Sequence, residues 1–296
     1  MKRRTLAWIV AAAGALGLLA AAPVVVGNVL CAPARCVIGA APADLAAGSV
    51  TIPCPDGHDV HGWFVRGTPG RGAILLLHPV RANRLAMLER ARWLAHEGYA
   101  VLLVDLQGHG ETPGAHITFG WLEGRCALAS ARWLREKLPG ERVGAIGASL
   151  GGASALLAPE PLPVDALVLE AVYPSIEEAV RDRLRIRLGS LGDLFVPLLT
   201  GQMKPRLGIE PAVLRPIDHL GALRCPVFVI AGARDEHTRV DESRAMFAAA
   251  REPRELWIVD GAAHVDLLRF AKDEYTRRVG GFLDRSLRGA HSSDHV

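Results

Sequence analysis

The stretch Val143-Gly144-Ala145-Ile146-Gly147-Ala148-Ser149-Leu150-Gly151-Gly152 changes character at its midpoint. A continuous apolar run ends in Gly-Ala-Ser-Leu-Gly, and helix-forming residues follow to Leu157. An apolar run without polar alternation predicts a strand covered on both faces. A strand that turns straight into a helix forces strained backbone at Ser149, so the residues two before and two after it must be small. Gly147 and Gly151 meet that need, and Gly152 favours close packing. Such a turn lifts the serine hydroxyl clear of the sheet, and the helix N-terminus favours negative charge beside it. Between a buried strand and a helix, Gly-x-Ser-x-Gly predicts a nucleophile elbow.

Working outward, the same kind of short apolar run recurs at residues 73–77, 100–104, 166–169, 227–230 and 256–259. The stretches between them, such as 85–96 and 121–138, carry apolar residues at helical spacing. Ahead of these, residues 50–53 and 60–65 flank Pro55-Asp56-Gly57 and predict an antiparallel hairpin. A hairpin followed by repeated βα units predicts an α/β fold, a mostly parallel sheet with helices on both faces. The interval after Val172 is too long for one crossover. A small helical cap is expected at about residues 174–224, including the arginine-rich run Arg181, Arg183, Arg185 and Arg187.

A serine hydroxyl needs a base to take its proton, and the base needs a carboxylate to orient it. Asp235 directly follows the strand expected at 227–230, and His264 directly follows the one at 256–259. Both fall at the C-terminal edge of the sheet, where Ser149 also lies. Ser149, Asp235 and His264 are therefore the expected catalytic set. His78, His109 and His237 also sit near strand ends. His109 is read as a loop brace, and His237 is set aside as following the wrong strand. The oxyanion donors are expected to be the backbone N–H groups of Leu150, after the nucleophile, and of Val80, since Pro79 has none to give. Arg81 is read as a surface ion-pair partner, with contact to an anionic substrate group as the alternative.

These pieces resemble the α/β-hydrolase superfamily, in particular its serine-aminopeptidase-like and monoacylglycerol-lipase-like branch. The matching motifs are Leu77-His78-Pro79, Asp105-Leu106-Gln107-Gly108-His109-Gly110-Glu111-Thr112, Gly147-Ala148-Ser149-Leu150-Gly151, Asp235 and His264, in family order across residues 50–287. The resemblance implies Ser149 as nucleophile, His264 as base and Asp235 as its partner. The chain departs from the family at His78-Pro79, where His-Gly is usual, and the proline stiffens the oxyanion loop. Serine at position 149 argues against relatives that use aspartate there.

Half of the 296 residues are hydrophobic and 22% are charged, which excludes wholesale disorder. The net charge of +3 comes from Lys2, Arg3 and Arg4, leaving 31 basic against 31 acidic side chains. The body is thus neutral, and a nucleic-acid partner is not expected. No charged side chain occurs from Thr5 to Ala34. As a helix the 21 residues 6–26 would span roughly 30 Å, the thickness of a bilayer core. Residues 1–30 are expected to form a transmembrane anchor, or a signal segment cleaved near Ala20-Ala21-Ala22, with the basic end in the cytoplasm. Either way the domain is extracytoplasmic, in a bacterial periplasm or at a cell surface, and is secreted if the segment is cleaved. Residues 31–48 are expected to be a linker, 49–288 the catalytic domain, and 289–296 a flexible tail. Cys31, Cys36 and Cys54 could pair in an oxidising compartment, while Cys126 and Cys225 are expected to be buried thiols.

Together these features predict a serine hydrolase of carboxylic esters, lipid-like or small, working through an acyl-enzyme with no metal or organic cofactor. The cap's leucines and Phe195 suit an apolar acyl group. Two alternatives stand beside it. One is an aminopeptidase-like enzyme that holds a substrate amine on Glu177, Glu178, Asp182 or Asp193. The other is a non-catalytic scaffold at the membrane.

Overall fold

The computed structural model describes residues 21–54 and 57–288. Eight strands form the main sheet: β1 (Gly48–Ile52), β2 (Val60–Val65), β3 (Ala73–Leu77), β4 (Ala100–Val104), β5 (Val143–Ala148), β6 (Ala166–Glu170), β7 (Val227–Gly232) and β8 (Arg254–Val259). Their spatial order is β8-β7-β6-β5-β3-β4-β2-β1. The pairs β1–β2 and β2–β4 are antiparallel, and the remaining pairs are parallel. The hairpin and all six apolar runs of the sequence are therefore strands. The expected turn at Pro55-Asp56-Gly57 lies largely outside the described residues.

Successive residues of a strand point to opposite faces, so a run such as Ala73–Leu77 must find apolar cover on both. Leu75 and Leu77 pack with Ala127 and Leu134 of α2 (Trp121–Lys137) and with Ala153 of α3 (Leu150–Leu156). Ile74 and Leu76 pack instead with Ala91 and Leu94 of α1 (Leu88–His96) and with Val279 and Leu283 of α9 (Lys272–Leu287). The expected helix at 85–96 begins as a 3-10 turn, Arg84–Met87, before α1 takes over.

The cap departs from the sheet after β6. It comprises α4 (Ile176–Leu188), α5 (Val196–Thr200), α6 (Met203–Leu207) and intervening 3-10 turns. Ser175 caps α4 by accepting from the N–H of Glu178. Beyond β7 come α7 (Val240–Ala249) and, ahead of α9, the single turn α8 (Leu267–Phe270).

The N-terminal region differs from expectation. Residues 31–48 are not a free linker but are fastened to the body. Ala34 and Arg35 pair with His109 and Gly110 as a short parallel bridge. The Cys36 N–H donates to the Gly110 carbonyl at 2.9 Å, and Glu111 accepts from the N–H groups of Ile38 and Gly39 at 2.9 Å each. The physical reason is that these bonds use main-chain groups, which any composition supplies. Residues 21–31 are helical and lie against the cap. Most of the apolar stretch 6–26 lies outside the described residues, as does the expected tail. Among the described residues, no helix is long and apolar enough to cross a membrane. None of the cysteines forms a disulfide, so the pairings considered among Cys31, Cys36 and Cys54 are not made; Cys54 instead adjoins the buried Cys126 thiol.

Candidate active site

The sheet register sets up the site. Leu77 at the end of β3 lies beside Gly147 of β5, Ala148 beside Glu170, and Val259 beside Gly232. The loops carrying Ser149, Asp235 and His264 therefore leave the sheet from one edge.

Ser149 stands between β5 and α3 with φ 47° and ψ −110°, left-handed backbone for a residue with a side chain. Its N–H donates to the Glu170 carbonyl at 2.8 Å, and its carbonyl accepts from Ala153 at 3.0 Å. The glycines around it are required by contact. A Cβ on Gly147 would lie 2.5 Å from the Gly152 nitrogen, and one on Gly151 would lie 2.2 Å from the Leu77 carbonyl oxygen. The strand-to-helix turn, the strained backbone at Ser149 and the need for glycine at 147 and 151 are as expected from the sequence.

His264 Nδ1 and Asp235 Oδ2 are 2.7 Å apart. The other oxygen, Oδ1, accepts from the backbone N–H groups of His237 and Thr238 at 2.8 and 2.9 Å. With the carboxylate accepting throughout, the ring proton sits on Nδ1, and Nε2 keeps its lone pair. The Asp235 side chain is fully buried, whereas a quarter of His264 is exposed. Ser149 and His264 share the wall of one cavity of about 240 Å³, with Pro79, Met87 and Ala171. An imidazole so held can take a proton from a hydroxyl in that cavity.

Val80 and Leu150 line a second cavity that also reaches Ser149. Leu150 opens α3, where a helix leaves its first N–H groups without a carbonyl partner. Two imidazoles grip the loop that carries Val80. His78 accepts from the Leu106 N–H at 3.0 Å, so its Nδ1 donates to the Pro79 carbonyl at 2.8 Å. His109 accepts from the Arg81 N–H at 3.1 Å and donates to the Gln107 carbonyl at 2.9 Å. Burial drives His78 down to about 3, with His109 adding to the effect, and burial lowers His109 too. Both are neutral braces. His109 serves the role read from the sequence, and His78 stiffens the proline turn from below.

The motif around Asp105 is likewise structural. Its carboxylate accepts from the N–H groups of Arg84 and Glu111 at 2.8 and 2.9 Å. Gly110, at φ 50°, passes so close that a Cβ would lie 2.3 Å from that carboxylate. Burial lifts Asp105 to about 6 against the pull of those donors and of Arg84.

The second cavity, about 260 Å³, is walled by apolar side chains including Phe119, Ile176, Val180, Leu199 and Met203. Phe195 and most of the cap's leucines, expected in this role, are elsewhere: Leu191, Leu194 and Leu198 face solvent. They sit on 3-10 turns and the outer side of α5, so their spacing does not aim them inward. Arg185 and Arg187 are solvent-facing, but Arg183 turns to the cavity and donates to the Ala179 carbonyl at 2.8 Å. Among the described residues, Arg81 meets no carboxylate. Its guanidinium donates to the carbonyls of Val29 and Ala32 at 2.9 and 3.2 Å, at the end of the N-terminal helix.

Two features were not read from the sequence. His237, set aside there, stacks beside His264 with ring centroids 5.0 Å apart. Asp235, His237 and His264 place ligand atoms within 4.8 Å of one another, while Asp235 and His264 are bonded to each other. Behind the site, Arg90 binds the buried Glu170 carboxylate at 2.6 Å and Asp266 at 3.0 Å, and the Tyr275 hydroxyl also donates to Glu170. This cluster holds the strand end from which the Ser149 N–H takes its acceptor.

Comparison with known proteins agrees with this architecture. Residues 68–210 match the family model described as serine aminopeptidase, S33. A Mycobacterium tuberculosis protein of undetermined role is 29% identical over 229 residues, covering 75% of this chain and 73% of its own. The YfhR protein of Salmonella typhimurium is 26% identical over 252 residues, 82% of each chain. Among solved structures, an esterase of Pyrococcus furiosus superposes with a TM-score of 0.72 at 25% identity, covering 86% of this chain and 97% of the esterase. The hydrolase GrgF from Penicillium superposes at 0.64 and 20% identity, covering 81% and 99%. The chain has the α/β-hydrolase fold, and residues 68–210 are similar to its serine-aminopeptidase-like branch. It is, in class, a hydrolase.

Proposed function

We propose that this chain hydrolyses carboxylic esters with Ser149 as nucleophile. The observation that carries this is the apolar cavity opening on Ser149, in whose wall, among the described residues, there is no carboxylate. In the proposed cycle the Ser149 hydroxyl attacks the acyl carbon while His264 Nε2 takes its proton. Asp235 fixes the imidazole and favours its charged form. The N–H groups of Leu150 and Val80 receive the oxyanion. Collapse of the intermediate expels the alkoxide, which leaves with the proton from His264, and the acyl group stays on Ser149. Water, deprotonated by His264, then releases the acid and restores the serine.

The four carboxylates that an amine-binding peptidase would need are engaged or remote. Glu178 closes on Ser175, Asp193 pairs with Arg185, Asp182 is buried beside Arg239, and Glu177 is exposed. A purified preparation should turn over p-nitrophenyl esters and leave aminoacyl p-nitroanilides largely intact. Cleavage of the anilides without ester turnover would overturn the assignment.

In the same proposal the domain stands outside the cytoplasm on an N-terminal anchor. Its support is the uncharged stretch from Thr5 to Ala34 preceded by Lys2, Arg3 and Arg4.

A further inference from the structure

The cavity that reaches Ser149 is not built by the cap alone. Gly27, Leu30 and Cys31 of the N-terminal helix line it together with Ile176, Ala179, Val180 and Met203 of the cap. The helix is held there by side chains that reach it from two directions. Gln202 donates to the Pro23 carbonyl at 3.0 Å, and Arg206 donates to the Val24 carbonyl at 3.2 Å and to Asn28 Oδ1. From the sheet side, Arg81 holds the carbonyls of Val29 and Ala32. Cationic groups at the C-terminal end of a helix satisfy its last carbonyls and oppose its dipole. Gly27 permits the approach, because a Cβ there would lie 2.7 Å from Gln202 Oε1 and 3.1 Å from the Arg206 guanidinium. The Cys31 carbonyl accepts from the Ile117 N–H at 2.9 Å, so the helix ends at a fixed point.

We propose that the N-terminal helix is a wall of the acyl-binding site and that Leu30 sets which acyl chains fit. This deepens the ester-hydrolase assignment and rests on it. At about 260 Å³ the cavity is just below the range of roughly 300–1,000 Å³ typical of drug-sized ligands. A single apolar acyl chain of short to medium length is the substrate class that fits, not a pair of long chains. Leu30 stands at the rim, partly exposed, while Val24, Val25, Val26 and Val29 turn outward into solvent. Access for the chain thus runs beside the segment that continues into the apolar stretch of the first twenty residues.

The test uses the full chain, with Leu30→Trp to narrow the rim and Ala179→Phe to narrow the same cavity from the cap. Each protein is assayed on p-nitrophenyl esters from acetate to dodecanoate and labelled with fluorophosphonates of graded alkyl length. Leu30→Trp is expected to lower kcat/KM for the longer esters roughly tenfold or more relative to that for acetate. Ala179→Phe is expected to shift the profile in the same direction. A change confined to Ala179→Phe, or an equal loss at every chain length, would overturn the assignment of the helix. Should no ester be hydrolysed while fluorophosphonates react, the ester reading falls, and the alkyl-length profile of labelling still decides the wall. If neither class of probe reacts with folded protein, both readings fall together.

Discussion

Left-handed backbone at a serine costs on the order of 1–3 kcal/mol, and at Ser149 it persists because its neighbours allow nothing else. Gly147 and Gly151 leave no space for side chains, and the Glu170 carbonyl fixes the serine's own N–H. The need for small residues at those spacings is why this turn was legible in sequence. His78 and His109 were harder to read, since a histidine near a strand end serves equally as base, ligand or brace. Only their partners decide. His78 also links folding to pH. Its folded value is pushed down to about 3, whereas in the unfolded chain it takes up a proton below about 6.5. Its contribution to stability is therefore complete above pH 6.5 and is lost as the pH falls toward 3. Between pH 7 and pH 5 that loss comes to about 2 kcal/mol, some one and a half pH units at about 1.4 kcal/mol each. In urea unfolding, the stability gap between wild type and His78→Asn should shrink by that amount over this interval. A constant or widening gap would contradict the neutral, buried state assigned to His78.

Among the elements, the strands were the most legible because burial on both faces leaves a continuous apolar run. The cap was legible as an interval but not in its interior. Its short helices and 3-10 turns send some leucines outward and leave Leu199 on the cavity. The N-terminal segment was read as a spacer because alanine, proline and glycine give no packing signal. Its attachment is made by main-chain bonds and by arginines distant in sequence, Arg81 and Arg206. Residues 21–26 belong both to the stretch 6–26 on which the proposed anchor rests and to the helix docked on the cap. Expressed in a bacterium, the protein should partition with the membrane fraction, be digested by protease added outside the cytoplasm, and keep its first residues by intact mass. A soluble exported form beginning at Pro23 would replace the anchor with a cleaved leader. A cytoplasmic protein would contradict both.

For the molecule as a whole, function follows from topology more than from any local contact. Residues 149, 235 and 264 are far apart in sequence, yet β5, β7 and β8 end at one edge of the sheet and bring their loops together. Chain order alone was enough to single them out as candidates. What it could not supply was His237 beside His264, or the buried Arg90–Glu170–Tyr275 cluster beneath the elbow, because those contacts join loops and helices whose packing has no sequence period. The central claim is that this framework activates one serine, and a fluorophosphonate tests it without knowledge of the natural substrate. Wild-type protein should acquire a single covalent adduct, detected by intact mass, and Ser149→Ala should acquire none while remaining folded. Folded wild type that stays unmodified, or a Ser149→Ala protein that reacts equally well, would contradict it.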